Sequence, residues 1–277
     1  MVDLLGAADI RELAARLDVT PTKKLGQNFV TDPNTIRRIV AAAKLSGSET
    51  VVEIGPGLGS LTLGLLEVAK KVIAVEIDPK MAAELENTIA KRAPGVDFTL
   101  VRDDALKVEE LPADADALVA NLPYNISVPV LLHFLEHFPS IQTGLVLVQA
   151  EVAHRLAAEP GSKIYGIPSV KLAWYADSAL AGNVGRNIFW PVPNVDSALV
   201  YFSKRAVPLG DEELRLATFE VADAAFGQRR KTLRQALATW AGSPAEAERI
   251  LIAAGVSPQA RGEELDVHQF VAIAKAR

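Results

Sequence analysis

Four consecutive residues, Asn121, Leu122, Pro123 and Tyr124, combine the groups needed to bind and activate a planar amine. An asparagine side chain offers a carbonyl acceptor and an amide donor, and a tyrosine offers a flat ring on which another ring can stack. The proline stiffens the backbone, so the carbonyl of Leu122 can point to the ligand as a second acceptor. Two acceptors beside an aromatic face suit a planar group that carries an NH2, such as an adenine, a cytosine or a glutamine amide.

A glycine-rich loop, residues 55–59, follows the acidic residue Glu53. Gly55 and Gly57 would let the backbone approach a ligand closely. In NAD enzymes the last glycine of such a loop comes one residue later, and a helix N-terminus faces pyrophosphate. Because the Glu53 carboxylate would repel phosphate and attract a cation, we favour S-adenosylmethionine, which carries a sulfonium and an ammonium, over NAD. Close packing of a helix on a strand is the alternative explanation of the glycines.

Two further acidic residues follow neighbouring predicted strands. Glu76 comes about twenty residues after the loop, where a carboxylate can accept hydrogen bonds from both ribose hydroxyls. Asp104 could bind the amino group of the cofactor's adenine. Together with the glycine loop and Asn121, these residues end four successive strands, so we expect them to line one crevice at the carboxyl edge of a sheet.

These residues predict methyl transfer to an aromatic amine. Such an amine is a poor nucleophile, because its lone pair is delocalised into the ring. The side-chain oxygen of Asn121 and the carbonyl of Leu122 could hold the two N–H bonds out of the ring plane and aim the lone pair at the methyl group. Catalysis would then depend on positioning and electrostatics, without a strong general base.

A base that reacts in this way must leave its helix and be held between two surfaces. Tyr124 is the first candidate surface, and Phe189 is the candidate for the opposite face. Packing in the hydrophobic core is the alternative role for both rings.

A short basic segment contains Arg229, Arg230, Lys231 and Arg234. The chain carries a formal net charge of −5, so nucleic-acid binding would have to come from such a local patch. On one helix, Arg230 and Arg234 would share a face, with Leu233 and Leu237 packed inward. We favour RNA binding here over a merely solvated helix face. Three cations elsewhere extend the predicted patch: Lys23, Lys24 and Arg186.

The composition excludes several classes of site. The 277 residues include no cysteine, which excludes disulfides, cysteine-ligated zinc, iron–sulfur clusters and a thiolate nucleophile. The four scattered histidines predict no metal site. The N-terminus lacks the pattern of a signal peptide, and no apolar run approaches the ~18 residues that span a bilayer. We therefore expect a cytoplasmic protein without a membrane segment.

Strand and helix patterns alternate through the first two hundred residues, which predicts an α/β fold with a doubly wound, Rossmann-like methyltransferase sheet. Helices are predicted over 8–17, 33–43, 60–69, 79–92 and 127–137, and strands over 50–54, 71–77, 97–101, 117–120, 143–148, 169–176 and 196–203. The last two strands could pair antiparallel at the sheet edge. Beyond them, only helices are predicted, over 211–225, 229–241, 244–254 and 266–275. We therefore predict a methyltransferase domain with an N-terminal extension, 1–207, and a small all-helical domain that binds RNA or a ribosomal subunit, 208–277.

Taken together, these motifs resemble those of the bacterial small-subunit (16S) rRNA adenine dimethyltransferases. The resemblance covers nearly the whole chain. Its matching stretches are residues 25–29, 53–62, 76–78, 104–105, 121–125, 195–198 and 226–233. It implies contacts to S-adenosylmethionine from Asn28, Val30, Gly55, Glu76, Asp104 and Asn121.

The resemblance also implies a substrate: two adjacent adenines near the 3′ end of 16S rRNA, each dimethylated within an assembling small subunit. We expect the protein to act there as a monomer. Large-subunit rRNA methyltransferases of the macrolide-resistance type share the fold and are the first alternative. A ribosome assembly factor that keeps the fold without catalysis is the second.

Overall fold

The computed structural model describes residues 2–17 and 28–277, which divide into two compact units. The first unit comprises Met1–Ala153 and Ala179–Lys204, and the second comprises His154–Ser178 and Arg205–Arg277. In the described part of the chain the helices are α1 (Ala7–Arg16), α2 (Pro33–Ala42), α3 (Ser60–Leu66), α4 (Pro79–Arg92), α5 (Ser127–His137), α6 (Ala150–Leu156), α7 (Ile167–Tyr175), α8 (Glu212–Gly227), α9 (Leu233–Ala236), α10 (Ala238–Ala241), α11 (Pro244–Ala253) and α12 (Val267–Lys275). The strands are β1 (Phe29–Val30), β2 (Thr50–Ile54), β3 (Lys71–Val75), β4 (Phe98–Val101), β5 (Ala117–Asn121), β6 (Thr143–Gln149), β7 (Ala176–Val184), β8 (Phe189–Trp190) and β9 (Ser197–Lys204).

A seven-stranded sheet organises the first unit, in the order β4-β3-β2-β5-β6-β9-β7. The pairs β4–β3, β3–β2, β2–β5 and β5–β6 are parallel, whereas β9 runs antiparallel to β6. The strand order reverses direction between β2 and β5, and an open α/β sheet binds its ligands at such a switch point. The predicted doubly wound α/β fold is confirmed.

Local sequence signals explain how the helices of this unit begin. Asp32 caps α2 by accepting a hydrogen bond from Thr35 N at 2.9 Å, and Asp78 caps α4 by accepting from Lys80 N at 2.8 Å. In both helices a proline occupies the first position, where its missing N–H costs nothing. Apolar side chains from these helices and from the central strands form the buried core. That core fixes the strand ends relative to one another.

Two of the predicted elements are wrong. The segment predicted as a strand over 169–176 is helix α7, and the strand follows it as β7. Gly166 caps this helix, its N–H donates to Ser169 Oγ at 3.0 Å, and Pro168 occupies the first turn. These start signals outweigh the branched and aromatic residues that favoured a strand. The helix predicted over 229–241 is a turn followed by the two short helices α9 and α10. The predicted strand 196–203 is confirmed as β9.

The second unit is helical and is built from two separate stretches of chain. In it, the ring of Phe219 lies 6.2 Å from that of Trp174 and 6.3 Å from that of Tyr175, both with edge-to-face geometry. Lys171 forms an ion pair with Asp223 at 3.0 Å. Residues 154–178 therefore belong to this unit, although the predicted boundary placed them in the domain 1–207.

Candidate active site

A cavity of about 220 Å³ opens at the carboxyl ends of β2, β3, β4 and β5 in the first unit. It collects the cofactor-binding residues expected from the sequence. Those among its lining residues are Asn28, Val30, Glu53, Gly55, Gly57, Glu76, Asp104, Asn121, Leu122 and Pro123. These residues come from five separate stretches of chain. The fold therefore brings together side chains that are up to 95 positions apart in the sequence.

The glycine loop has a backbone that only glycine adopts easily. Gly55, Gly57 and Gly59 have φ angles of +64°, +57° and +92°, in the left-handed region that is strained for other residues. A Cβ at Gly57 would lie 2.8 Å from Cε1 of Phe29. The loop therefore needs glycine at Gly57 for two reasons, its φ angle and the aromatic ring that lies against it.

Glu76, at the end of β3, binds the glycine loop through a hydrogen bond. Its two carboxylate oxygens accept hydrogen bonds from the N–H of Gly57 at 3.1 Å and from the N–H of Asp78 at 2.9 Å. The residue is buried, and that burial raises the pKa of Glu76 above its ordinary value despite the two hydrogen bonds. A carboxylate held in this way retains lone pairs that face the cavity, where ligand hydroxyls could donate to it.

Glu53 is a second buried carboxyl group on the same cavity. Only 1% of the residue is exposed, and its Oε2 atom has no hydrogen-bond partner among the described residues. Burial, reinforced by the nearby charge of Glu76, raises the pKa of Glu53 to about 8. The hydroxyl of Ser60 beside it is also buried without a partner in this part of the structure. Because buried polar groups in proteins are normally satisfied, these atoms indicate a polar or cationic ligand.

Asn121 is held in one orientation at the end of β5. Its Nδ2 atom donates to the backbone carbonyl of Asn28 at 2.9 Å. The side-chain oxygen is therefore left as the acceptor in the cavity. The next residue, Leu122, donates its N–H to the carbonyl of Leu147 at 3.1 Å, which anchors the motif to β6. Asn121 thus presents a fixed acceptor from a rigid strand end.

Tyr124 lies next to the cavity but outside its lining. Its hydroxyl oxygen is 2.6 Å from Oγ of Ser197, on the first residue of β9. Burial raises the pKa of Tyr124 above its usual value, although the hydrogen bond to Ser197 lowers it in part. The ring is half-buried, which leaves a face available for stacking.

Phe189 is not among the residues that line the cavity. It is 2% exposed and belongs to the hydrophobic core, on the strand β8 that pairs with β1. The interpretation of Phe189 as the second wall of a base pocket is therefore not supported. Its neighbour Trp190 packs against the same core and stacks on Phe29, with ring centroids 6.4 Å apart.

Comparison with known proteins agrees with this geometry. The family described as "Ribosomal RNA adenine dimethylase" matches residues 20–276. The chain belongs to the ribosomal RNA adenine dimethylase family. It is therefore an enzyme, an S-adenosylmethionine-dependent rRNA methyltransferase. The family resemblance inferred from its motifs is confirmed.

Relatives of the chain carry matching names. It is 61% identical to "Ribosomal RNA small subunit methyltransferase A" of Arthrobacter sp. (strain FB24) over 99% of this chain and 93% of the relative. The protein of the same name from Streptomyces avermitilis is also 61% identical, over 99% and 94%. A crystal structure of a dimethyladenosine transferase from Plasmodium falciparum is 25% identical, with a TM-score of 0.73 over 88% of this chain and 95% of that one. The structure of the 23S rRNA methyltransferase ErmE is 27% identical, with a TM-score of 0.66 over 90% and 99%.

Several cavity residues of this dimethylase were not singled out from the sequence. Ile77 is 63% exposed although it is large and apolar. It directly follows Glu76, and an aliphatic residue at this place after a strand-end carboxylate could have been predicted from the sequence to line the cavity. Phe29 has no such signal, because only the fold shows that it packs on the glycine loop. The other apolar lining residues in this class include Leu61, Ala105 and Ile126.

In the basic segment of this dimethylase, two arginines form ion pairs within the protein and two other cations are exposed to solvent. Arg229 forms an ion pair with Glu263 at 2.8 Å, and Arg234 forms one with Glu248 at 2.7 Å. Arg230 and Lys231 are exposed and have no ion pair among the described residues. The prediction that Arg230 and Arg234 share one helix face is wrong, because Arg230 lies in the turn before α9. Leu233 and Leu237 are buried, as expected. Lys23 and Lys24 lie outside the described residues.

In the parts of the chain that the structure describes, no helix is long and apolar enough to cross a bilayer. The same residues contain no group of three or more His, Asp or Glu side chains arranged to hold a metal ion.

Proposed function

We propose that this enzyme transfers methyl groups from S-adenosylmethionine to the exocyclic amines of two adjacent adenines near the 3′ end of 16S rRNA. Each adenine would become dimethyladenosine while the small subunit assembles. The observation that carries the proposal is the fixed amide of Asn121, whose oxygen is left as an acceptor at the cavity by the hydrogen bond to Asn28. Family membership and the names of the 61%-identical relatives supply the class of substrate.

The cavity fits the chemistry of this cofactor. S-adenosylmethionine supplies a methyl group on a positively charged sulfur, together with an ammonium, a ribose and an adenine. The Oε2 atom of Glu53, which has no hydrogen-bond partner in the described part of the chain, suits the positive charge, and Glu76 suits the ribose hydroxyls. Asp104 lies at the same cavity and is half-exposed, so it can accept from the adenine amine. The exposed side chain of Ile77 offers an apolar surface for the adenine ring.

The residues of the motif would activate the target by positioning it. Asn121 Oδ1 and the carbonyl of Leu122 each accept a hydrogen bond from one N–H of the target amine. The lone pair of the amine nitrogen then points at the methyl group. Asn121 ends β5, and Leu122, the next residue, is anchored to β6 by its N–H, so the two groups need no reorganisation when the reaction occurs. The amine becomes acidic as it is alkylated, so it can lose its proton to water afterwards. Tyr124 would support the flipped base from one side.

The small subunit is favoured over the large subunit as the substrate. The relatives named for the small subunit are 61% identical to this chain over almost its full length. ErmE, which is named for 23S rRNA, is 27% identical. We further infer that the enzyme acts as a monomer in the cytoplasm, where bacterial ribosomal subunits assemble.

Methyl transfer from labelled S-adenosylmethionine tests the proposal, with unmethylated small subunits, large subunits and naked rRNA assayed in parallel. We expect label only where the small-subunit rRNA is present, located in two adjacent adenines. Transfer to large subunits alone would favour the macrolide-resistance type of activity. Absence of transfer to any substrate would favour a non-catalytic assembly factor.

A further inference from the structure

A buried hydrogen bond joins the aromatic residue of the motif to a strand outside the motif. The hydroxyl of Tyr124 is 2.6 Å from Oγ of Ser197. Ser197 is completely buried, and Tyr124 is half-buried. Burial raises the pKa of the Tyr124 hydroxyl, so this group keeps its proton and remains able to donate. A polar contact that is shielded from water in this way restrains the far end of the ring.

The sheet topology explains how Ser197 reaches this position. Asn121 lies opposite Leu147 in the parallel pair β5–β6, and Ser197 lies opposite Gln149 in the antiparallel pair β6–β9. Because β9 is antiparallel, its first residue lies at the edge of the sheet where β5 and β6 end. The buried hydroxyl of Ser197 therefore lies at the same edge of the sheet as the Asn-Leu-Pro-Tyr motif.

We propose that Ser197 is a positioning residue, which holds the ring of Tyr124 as a fixed stacking surface for the target base. The inference rests on the proposed function, since it assumes that a base stacks on this ring. The backbone after Pro123 fixes one end of the tyrosine, and Ser197 fixes the other. With both ends restrained, the base on the ring is aligned with the acceptors at Asn121 and Leu122. Without Ser197, the ring would tilt and the amine would leave the line of attack.

Two substitutions remove this hydrogen bond from its opposite ends. Ser197→Ala removes one hydroxyl of the pair and Tyr124→Phe removes the other, while both keep the aromatic ring. We expect each to lower kcat for methyl transfer to unmethylated small subunits by about five- to tenfold, the factor that one hydrogen bond contributes. The double variant should be no slower than either single variant, because one shared bond is lost in all three. The KM for subunits and the Kd for S-adenosylmethionine, measured by calorimetry, should stay unchanged.

The matched control is Ser203→Ala, at the other end of β9, where the serine is exposed and lies opposite Thr143. It should keep the wild-type kcat. A wild-type kcat in Ser197→Ala would overturn the proposal, and so would losses in the two single variants that multiply in the double variant. If Ser197→Ala does not fold, a wild-type kcat in Tyr124→Phe would overturn it equally. These outcomes require an active wild-type enzyme. An inactive wild type on every ribosomal substrate would instead overturn the proposed function and this inference with it.

Discussion

At the scale of single residues, the chemistry depends on how one amide is oriented. Asn121 has a donor fixed by the carbonyl of Asn28 and an acceptor directed to the cavity. We predict that Asn121→Ala lowers kcat by a factor on the order of 10²–10³, the typical cost of removing one preorganised polar group. The Kd for S-adenosylmethionine should change little by comparison. Asn87→Ala, at an exposed position of α4 outside the lining of this cavity, is the control and should retain activity. Full activity in Asn121→Ala would contradict the mechanism.

The buried carboxyl group of Glu53 predicts a pH-dependent stability. Its pKa is about 8 in the folded protein and near 4.5 in the unfolded chain. Between these values the unfolded chain has released the proton and the folded protein has kept it, so the free energy of unfolding falls as the pH rises from about 4.5 to about 8. Each pKa unit represents about 1.4 kcal/mol, so the loss would reach a few kcal/mol.

Thermal unfolding without cofactor at pH 5 to 9 would measure this effect. Glu53→Gln cannot ionise, and we therefore expect its melting temperature to rise relative to the wild type as the pH increases. The exposed residue Glu86, substituted as Glu86→Gln, serves as the control and should show the wild-type profile. Parallel profiles for Glu53→Gln and the wild type would show that the Glu53 proton is not retained.

At the scale of elements, the loop between β2 and α3 depends on the strand β1 beneath it. A Cβ at Gly57 would meet both an unfavourable φ of +57° and the ring of Phe29 at 2.8 Å. We predict that Gly57→Ala weakens binding of S-adenosylmethionine at least about tenfold, equivalent to 1.4 kcal/mol. Gly95→Ala is a suitable control, because its φ is +81° and, apart from its chain neighbours, no atom of the described residues lies within 4 Å of the added Cβ. It should lower stability through backbone strain alone and leave the Kd unchanged.

The element scale also shows what the sequence could and could not predict. Residues that follow strands could be assigned to one cavity, since hydrophobic patterns locate strand ends and parallel topology brings those ends together. The position of Phe189 could not be predicted, because the face that a residue presents on a two-residue strand depends on pairing with β1. Helix α7 was mistaken for a strand because its branched and aromatic residues favour strands locally. Its packing against Phe219 could not be predicted, because that residue is remote in sequence.

At the scale of the whole molecule, net charge and local charge have opposite signs. The chain carries −5 overall, yet Arg230 and Lys231 project from the second unit without ion pairs among the described residues. We predict that Arg230→Gln with Lys231→Gln weakens RNA binding and reduces the slope of log K against log salt by roughly 1.4 to 1.8, as two lost phosphate contacts require. Binding titrations across salt concentrations measure the slope.

A matched pair in the same unit, Arg249→Gln with Lys275→Gln, removes the same charge elsewhere and should leave the slope almost unchanged. If both pairs of substitutions shift it equally, only net charge matters and the basic segment has no special role.

The discontinuous second unit also has a consequence during synthesis on the ribosome. The segment His154–Ser178 emerges before the strands that complete the sheet, but its packing partners in Arg205–Arg277 emerge last. At about 5–20 residues per second, translation of the 45 residues from Trp174 to Phe219 takes on the order of 2 to 9 seconds. During this interval the apolar side chains of α7, such as Trp174, lack the ring of Phe219 against which they pack. The second unit can therefore complete its packing only after its later stretch has been synthesised.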